Sequence, residues 1–466
     1  MKLNPPRHHH EPFNDLLHCR LVQPEMFAKP TSTPVWVVVA IFVAVMMTLL
    51  WSETSLAQTP PNFRVPPVEL PDVESTEDET EDETEVQPQG ETPRQVIVDS
   101  DLGVDDAAAL IWLFSQTRHP VDVQGIVTIA GATTITNATN NAQLILSWLG
   151  EETVPVIQGA DAPLVRPLSL TPSLVHGPDG LWFTFAPEVP ADSADATAFY
   201  CAPQRLQSGL LVVALGPLTN LAHAIQSCPA AWRGVEIVSL GGGRRKTNQT
   251  PVTEYNYWQD PEAAQQVLTQ GAASGATIQI VLADAFSQFE LEPRDIEKLS
   301  RHGVPAIVNL QPALEAYVNG LSAGGETPTL PDPVAVMYAL KNGLGTAHSA
   351  LVKPLAGEGI PEMVRGQTII GMTLNERITM IASDADLSAI AYNIYNTPGY
   401  DLDSAIFEIL SREQDNALVV TDIEARRMHN LFLQDLRGKD INVQSGEASN
   451  EAGNFEEHLY VPLIMD

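Results

Sequence analysis

The chain has 466 residues, 44% of them hydrophobic, enough for one large or two ordinary domains with a sizeable core. Its 58 acidic residues outnumber 25 basic ones, giving a formal net charge of −33. Such a surface repels phosphate and excludes nucleic acid as the expected partner.

Residues 1–34 form an irregular extension rich in Pro and His, in which His8-His9-His10 is too short a run to argue from. Residues 35–51 (VWVVVAIFVAVMMTLLW) carry no charge. This is close to the roughly 20 residues of a membrane span and slightly beyond an ordinary signal-peptide core. Lys29 supplies a positive flank, Met26 is an alternative start, and Ser55-Leu56-Ala57 has the small-x-small pattern of a cleavage site before Gln58. Residues 35–57 therefore read as a signal peptide, with a retained anchor through 35–51 as the alternative. Both place the rest of the chain outside the cytoplasm, in the periplasm or extracellular space. From 58 to 93 follows an acidic linker, with ELPDVESTEDETEDETEVQPQGE at 69–91. A segment so poor in apolar residues cannot bury a core and is expected to be disordered.

The globular domain is expected over 94–440, with a polar tail at 441–466. Apolar runs at 95–98, 123–130, 154–157, 210–215, 235–240 and 277–283 read as strands. Helical patterns fall at 105–116, 137–149, 218–227, 260–270, 293–300 and 332–341. Their alternation predicts an α/β fold: an open, mainly parallel sheet flanked by helices. The stretch from about 384 to 416 reads as an insertion. Cys201 and Cys228 would pair in an exported domain or stay as two buried thiols; with Cys19 they lack metal-ligand spacing.

At the end of the first strand, Asp99, Asp101, Asp105 and Asp106 lie within eight residues, with Gly103 expected to supply the tight turn. Carboxylates this close repel unless a cation or a hydroxyl-rich ligand sits among them, and a hard ion such as Ca²⁺ suits oxygen donors. One or two of these residues would also suit a helix start, where negative charge is favourable. The carboxyl ends of parallel strands are where α/β sheets bind ligands.

The motif Asp99-Ser-Asp101-Leu-Gly103-Val-Asp105-Asp106 resembles the N-terminal signature of the inosine-uridine-preferring nucleoside hydrolase family. Gly125–Gly131, Thr139-Asn-Asn141-Ala142, His176-Gly-Pro-Asp-Gly180-Leu181, Val212–Ala222, Asn248–Ala263 and Pro331-Asp332-Pro333 extend the resemblance from Arg94 to the C-terminal region. It implies hydrolysis of the N-glycosidic bond of ribonucleosides, with a Ca²⁺ held by Asp101, Asp106, the Leu215 carbonyl and Asp332. Asp101 would be the catalytic base and Asp105 would hold the sugar diol. His176, Asn248, Glu254 and Asn256 would contact substrate. The alternation Glu254-x-Asn256 would place both side chains on one side of an extended segment.

Two positions depart from the family pattern. Ala132 stands where Asn orients the attacking water, and Pro331 stands where His can protonate the departing base. The second departure predicts purine over pyrimidine substrates, with Trp182, Phe183 and Tyr255 as stacking candidates. The same departures support an alternative, a non-catalytic calcium-dependent nucleoside- or sugar-binding protein. A hydrolase of another ribosyl compound is a third reading, and homo-oligomers are compatible with all three.

Overall fold

The computed structural model describes residues 92–170, 173–182, 195–341 and 343–438. The expected signal or anchor segment, the acidic linker, Phe183 and the polar tail lie outside them. No helix among the described residues is long and apolar enough to cross a membrane.

Among the described residues a nine-stranded sheet runs in the order β3-β2-β1-β4-β5-β6-β9-β7-β8. The strands are β1 (Arg94–Ser100), β2 (Val121–Thr128), β3 (Val156–Gln158), β4 (Leu211–Ala214), β5 (Glu236–Leu240), β6 (Thr277–Val281), β7 (Gly345–Pro354), β8 (Thr368–Gly371) and β9 (Ala417–Ile423). From β3 to β9 all pairings are parallel, while β7 is antiparallel to β9 and to β8. The six predicted strands thus form the parallel body together with β9, which was not among them. Strand β7 was not foreseen: its sequence (GTAHSALVKP) starts polar and exposed and lacks the apolar run that marks a buried strand.

Chain order reverses at β1, which pairs with β2 on one side and β4 on the other. Loops leaving these two strands diverge to opposite faces and open a crevice at their carboxyl ends. The faces are set by strand periodicity. Val96 and Val98 pack with α1 (Val104–Ser115), α8 (Pro305–Ala323) and α9 (Pro331–Leu340). Ile97, Val127 and Val212 pack with α3 (Ala196–Tyr200), α4 (Thr219–Ser227) and α6 (Pro261–Gln266). Other helices before α8 include α2 (Ile135–Leu149), α5 (Tyr255–Gln259) and α7 (Pro293–His302), besides short turns such as Ser173–His176 and Ala283–Phe286. The helix expected over 260–270 is broken: Asp260 separates α5 from α6, which continues as a π turn over Val267–Gly271.

Sequence reading missed α8, although Ala306, Ile307, Leu310, Ala313, Leu314, Tyr317 and Val318 are buried at helical spacing. Pro312 inside the helix masked the pattern. Beyond β8 lie α10 (Leu374–Ile381), α11 (Asp384–Asn396) and α12 (Leu402–Leu410), then α13 (Ala425–Asp435) after β9. The stretch read as an insertion is thus mostly helical, with Ile409 the buried residue of α12 and Tyr392, Tyr395 and Phe407 facing water. Cys201, just after α3, is disulfide-bonded to Cys228 at the end of α4. Of the two possibilities for these cysteines, the structure holds the pair.

Candidate active site

The alternation along β1 distributes the acidic cluster. Asp99 shares the face of Ile97, where its carboxylate accepts from Tyr200 Oη at 2.9 Å and from Asn220 Nδ2 at 3.2 Å. Burial pushes its pKa up to about 7. Asp99 braces α3 and α4 and does not line the cavity. Ser100 points the other way and donates to Asp106 Oδ1 at 2.5 Å, while Gly103 N donates to Asp106 Oδ2 at 2.9 Å. Asp106 therefore both ties the start of α1 and faces the crevice, so helix start and ligand site coincide.

Gly103 does not make the turn, since its φ is −78°. The left-handed residue is Leu102, at φ 51°, and its carbonyl is held by Asn141 Nδ2 at 3.1 Å. A non-glycine residue persists there only because its surroundings over-determine it. Gly103 is needed for clearance: a Cβ would come within 2.5 Å of His176 Nδ1.

The crevice is a cavity of about 250 Å³. Its buried floor carries Asp101, Asp105, Asp106 and Asp332, and its rim includes the exposed residues Asn248 and Glu326. Carboxylate oxygens of Asp105, Asp106 and Asp332 lie within 4.8 Å of one another. Asp101 lines the same floor, with Oδ2 accepting from Ala132 N at 2.7 Å. Asp332 comes from the first turn of α9, whose cap is Leu330 and whose first residue is Pro331. Asp332 is therefore not the N-cap of this helix, and its side chain is free to join the cluster.

Burial raises the pKa of every member. Asp105 reaches about 6, Asp106 is raised, and Asp101 and Asp332 lie well above the ordinary carboxylate range, each pushed further by its neighbours' charges. Among the described residues no lysine or arginine lines the cavity. His176 cannot compensate either. Burial lowers its pKa to about 4, and its Nδ1 accepts from Val104 N at 3.2 Å, which makes it neutral although Asp105 Oδ1 lies 3.5 Å away. Asp105 Oδ1 is buried without a hydrogen-bond partner. Protons or a hard cation must neutralise this oxygen-only set, and it has the donor chemistry of a Ca²⁺ site.

The sugar-contact candidates come from the loop after β5 and the start of α5. Glu254 is the N-cap of α5, not part of an extended segment. Its carboxylate accepts from Gly242 N at 2.8 Å, Asn256 N at 2.9 Å and Tyr257 N at 3.1 Å, and burial still pushes its pKa up to about 7. Asn256 Nδ2 donates to Leu215 O at 2.6 Å and to Leu240 O at 3.2 Å, bridging the ends of β4 and β5. Asn248 Oδ1 accepts from Tyr255 N at 2.9 Å. Glu254, Asn256 and Asn248 all line the cavity, whereas Leu215 is not among its lining residues and its carbonyl is engaged by the Asn256 amide.

Tyr317, on the unforeseen α8, also lines the cavity, with its hydroxyl 3.0 Å from Thr329 O and 3.5 Å from Asp105 Oδ2. Of the expected aromatics, Tyr255 lines the cavity and donates to Gly131 O at 2.8 Å. Trp182 instead donates to Val175 O at 2.7 Å and packs against the core.

The model of the family described as "Inosine-uridine preferring nucleoside hydrolase" matches residues 96–430. A protein named probable uridine nucleosidase 1, from Oryza sativa subsp. japonica, is 38% identical over 184 residues, covering 38% of this chain and 56% of that protein. A pyrimidine-specific ribonucleoside hydrolase RihA from Shewanella woodyi is 30% identical over 327 residues, 68% of this chain and 99% of its own. Among solved structures, a plant nucleoside hydrolase superposes with a TM-score of 0.61 at 25% identity, over 75% of this chain and all (100%) of its own. A purine-preferring ribonucleoside hydrolase from Gardnerella vaginalis shares the fold, with a TM-score of 0.58 at 22% identity over 74% and 98% of the two chains.

Proposed function

The chain belongs to the inosine-uridine preferring nucleoside hydrolase family, and on that footing we propose that it cleaves the N-glycosidic bond of ribonucleosides to free base and ribose in a Ca²⁺-dependent reaction. The observation that carries this reading is the buried, oxygen-only cluster at the switch point of the sheet, with Asp105 Oδ1 unpartnered. Asp101, Asp106, Asp332 and the Leu215 carbonyl would hold the ion. When bound, it lowers the pKa of a water and fixes the sugar diol.

The chain's own residues then divide the work. Asp101 has one oxygen anchored by Ala132 N and takes the water proton with the other. Asp105 accepts a diol hydroxyl through its unpartnered Oδ1. Asn248, Glu254 and Asn256 grip the remaining sugar hydroxyls, because an amide donates and accepts while a carboxylate accepts strongly. Burial concentrates their effect on the developing oxocarbenium ion. His176, held neutral beside Asp105, contacts substrate without adding charge.

Pro331 lines the cavity and has no proton to give, which supports purine over pyrimidine substrates. Against that preference stand the relatives named for uridine and pyrimidine nucleosides. Values of kcat/KM for inosine, adenosine, guanosine and uridine decide it: a uridine value equal to or above the purines removes the purine preference. We also place the domain outside the cytoplasm, a reading supported by the Cys201–Cys228 disulfide. Sequencing the mature N-terminus tests it, with a start near Gln58 expected.

A further inference from the structure

A nucleoside whose diol rests on the carboxylate floor carries its base toward the rim, and the rim holds two polar side chains that nothing yet described uses. Glu326, on the loop between α8 and α9, lines the cavity from an exposed position. Gln249, on the loop after β5, lines it as well. Among the described residues no side-chain hydrogen bond or ion pair engages either one. Val175 and Leu321, which line the same cavity, are apolar and suit the faces of a flat ring.

We propose that Glu326 reads the nucleobase by accepting a hydrogen bond from its ring N–H, with the Gln249 amide donating to the adjacent carbonyl. The inference rests on the ribonucleoside reading above and names the class of base that this site favours. Uracil, hypoxanthine and guanine all present a ring N–H beside a carbonyl. Adenine and cytosine turn a bare ring nitrogen to the same place, and two acceptors facing each other repel. They reach a carboxylate only through the exocyclic amine beside that bare nitrogen. Glu326 thus selects oxo-bases over amino-bases whatever the ring size. This is one way in which uridine and inosine can suit a single pocket. The contact forms before bond cleavage, and a carboxylate at the ring does not help a base leave with its electron pair. The effect therefore belongs in KM and not in kcat.

The test compares uridine and inosine with 3-methyluridine and 1-methylinosine, which lack the ring N–H, in the calcium-loaded wild-type protein, Glu326→Ala and Glu326→Gln. Glu326→Ala is expected to raise KM for uridine and inosine about tenfold at unchanged kcat, the ordinary worth of a hydrogen bond to a charged group. It should leave the methylated substrates unchanged, and Glu326→Gln should fall between the two. Equal changes on parent and methylated substrates, no change on either, or a loss of kcat would overturn the assignment. If the wild-type protein releases ribose neither from these four nor from guanosine, adenosine and cytidine, the ribonucleoside reading falls and this inference with it. Activity that ignores residue 326 sinks the inference alone.

Discussion

The Asn256 amide donates to the Leu215 carbonyl at 2.6 Å, which joins a residue proposed to contact the sugar directly to the backbone oxygen proposed for the ion. Through its second bond, to Leu240 O, the same amide ties together two strand ends. Asn256→Ala would leave two buried carbonyls without that donor, at about 1–3 kcal/mol. The expected outcome is a lower urea midpoint together with a higher KM. Asn256→Asp should be worse, since a carboxylate cannot donate. Equal stability of wild type and both variants would show that the bridge is not needed.

Glu254 predicts a pH dependence with a definite sign. Burial raises its pKa from the ordinary 4.5 to about 7 despite the backbone N–H groups it accepts. The folded protein therefore holds this proton more tightly than the unfolded chain. That contribution is fully present below about pH 4.5 and is lost as pH rises through about 7. Glu254→Gln resembles the protonated form. It should be near neutral for stability at pH 5 and stabilising, by on the order of a few kcal/mol, at pH 8. For catalysis the sign reverses: an ionised Glu254 accepts a sugar hydroxyl better, so wild-type KM should fall as pH rises through 7. Urea titrations at both pH values and a KM–pH profile check the two statements.

Asp332→Asn should weaken Ca²⁺ at least tenfold, about 1.4 kcal/mol, without disturbing the fold, because Asp332 caps nothing. Asp106→Asn should weaken the ion similarly but also cost stability, since its carboxylate holds Ser100 Oγ and Gly103 N at the start of α1. Calorimetric titration with Ca²⁺, paired with thermal melts, separates the two. Unchanged affinity in both variants would move the ion elsewhere.

The disulfide closes a separation of 27 residues and clamps α3, which carries Tyr200 onto Asp99, against α4. Replacing Cys201 and Cys228 by Ser is expected to cost about 2–4 kcal/mol. A reductant should lower the wild-type melting temperature and leave the double variant unmoved.

Much of this architecture was legible because β1 to β6 are short apolar runs between helical patterns, which leaves little choice but a parallel sheet. The acidic cluster announced the site through its density of charge. What escaped the sequence was geometry that neighbours impose. Leu102 takes the left-handed turn that Gly103 was expected to take, because Asn141 holds its carbonyl and His176 crowds the next position. Asp99 looked equivalent to Asp101, yet one step of strand alternation sends it to Tyr200 and Asn220. Glu254 and Asn256 share a wall through a helix start, not through an extended segment. Tyr317 reaches Asp105 from 212 residues away along the chain. No local pattern marks such a contact, although the spacing of the apolar residues of α8 could have placed the helix.

The central claim is a Ca²⁺-dependent hydrolase whose base is Asp101, and ribose release tests it most directly. Reducing sugar liberated from inosine, guanosine, adenosine and uridine should be measured for the wild-type protein with Ca²⁺, for the same protein after chelation, and for Asp101→Asn. The account predicts release from at least one nucleoside with Ca²⁺, its loss on chelation with recovery on re-addition, and a fall of roughly 10²–10⁴-fold in kcat for Asp101→Asn. Binding of nucleoside with no ribose released, or release at an unchanged rate after chelation and in Asp101→Asn, would contradict it.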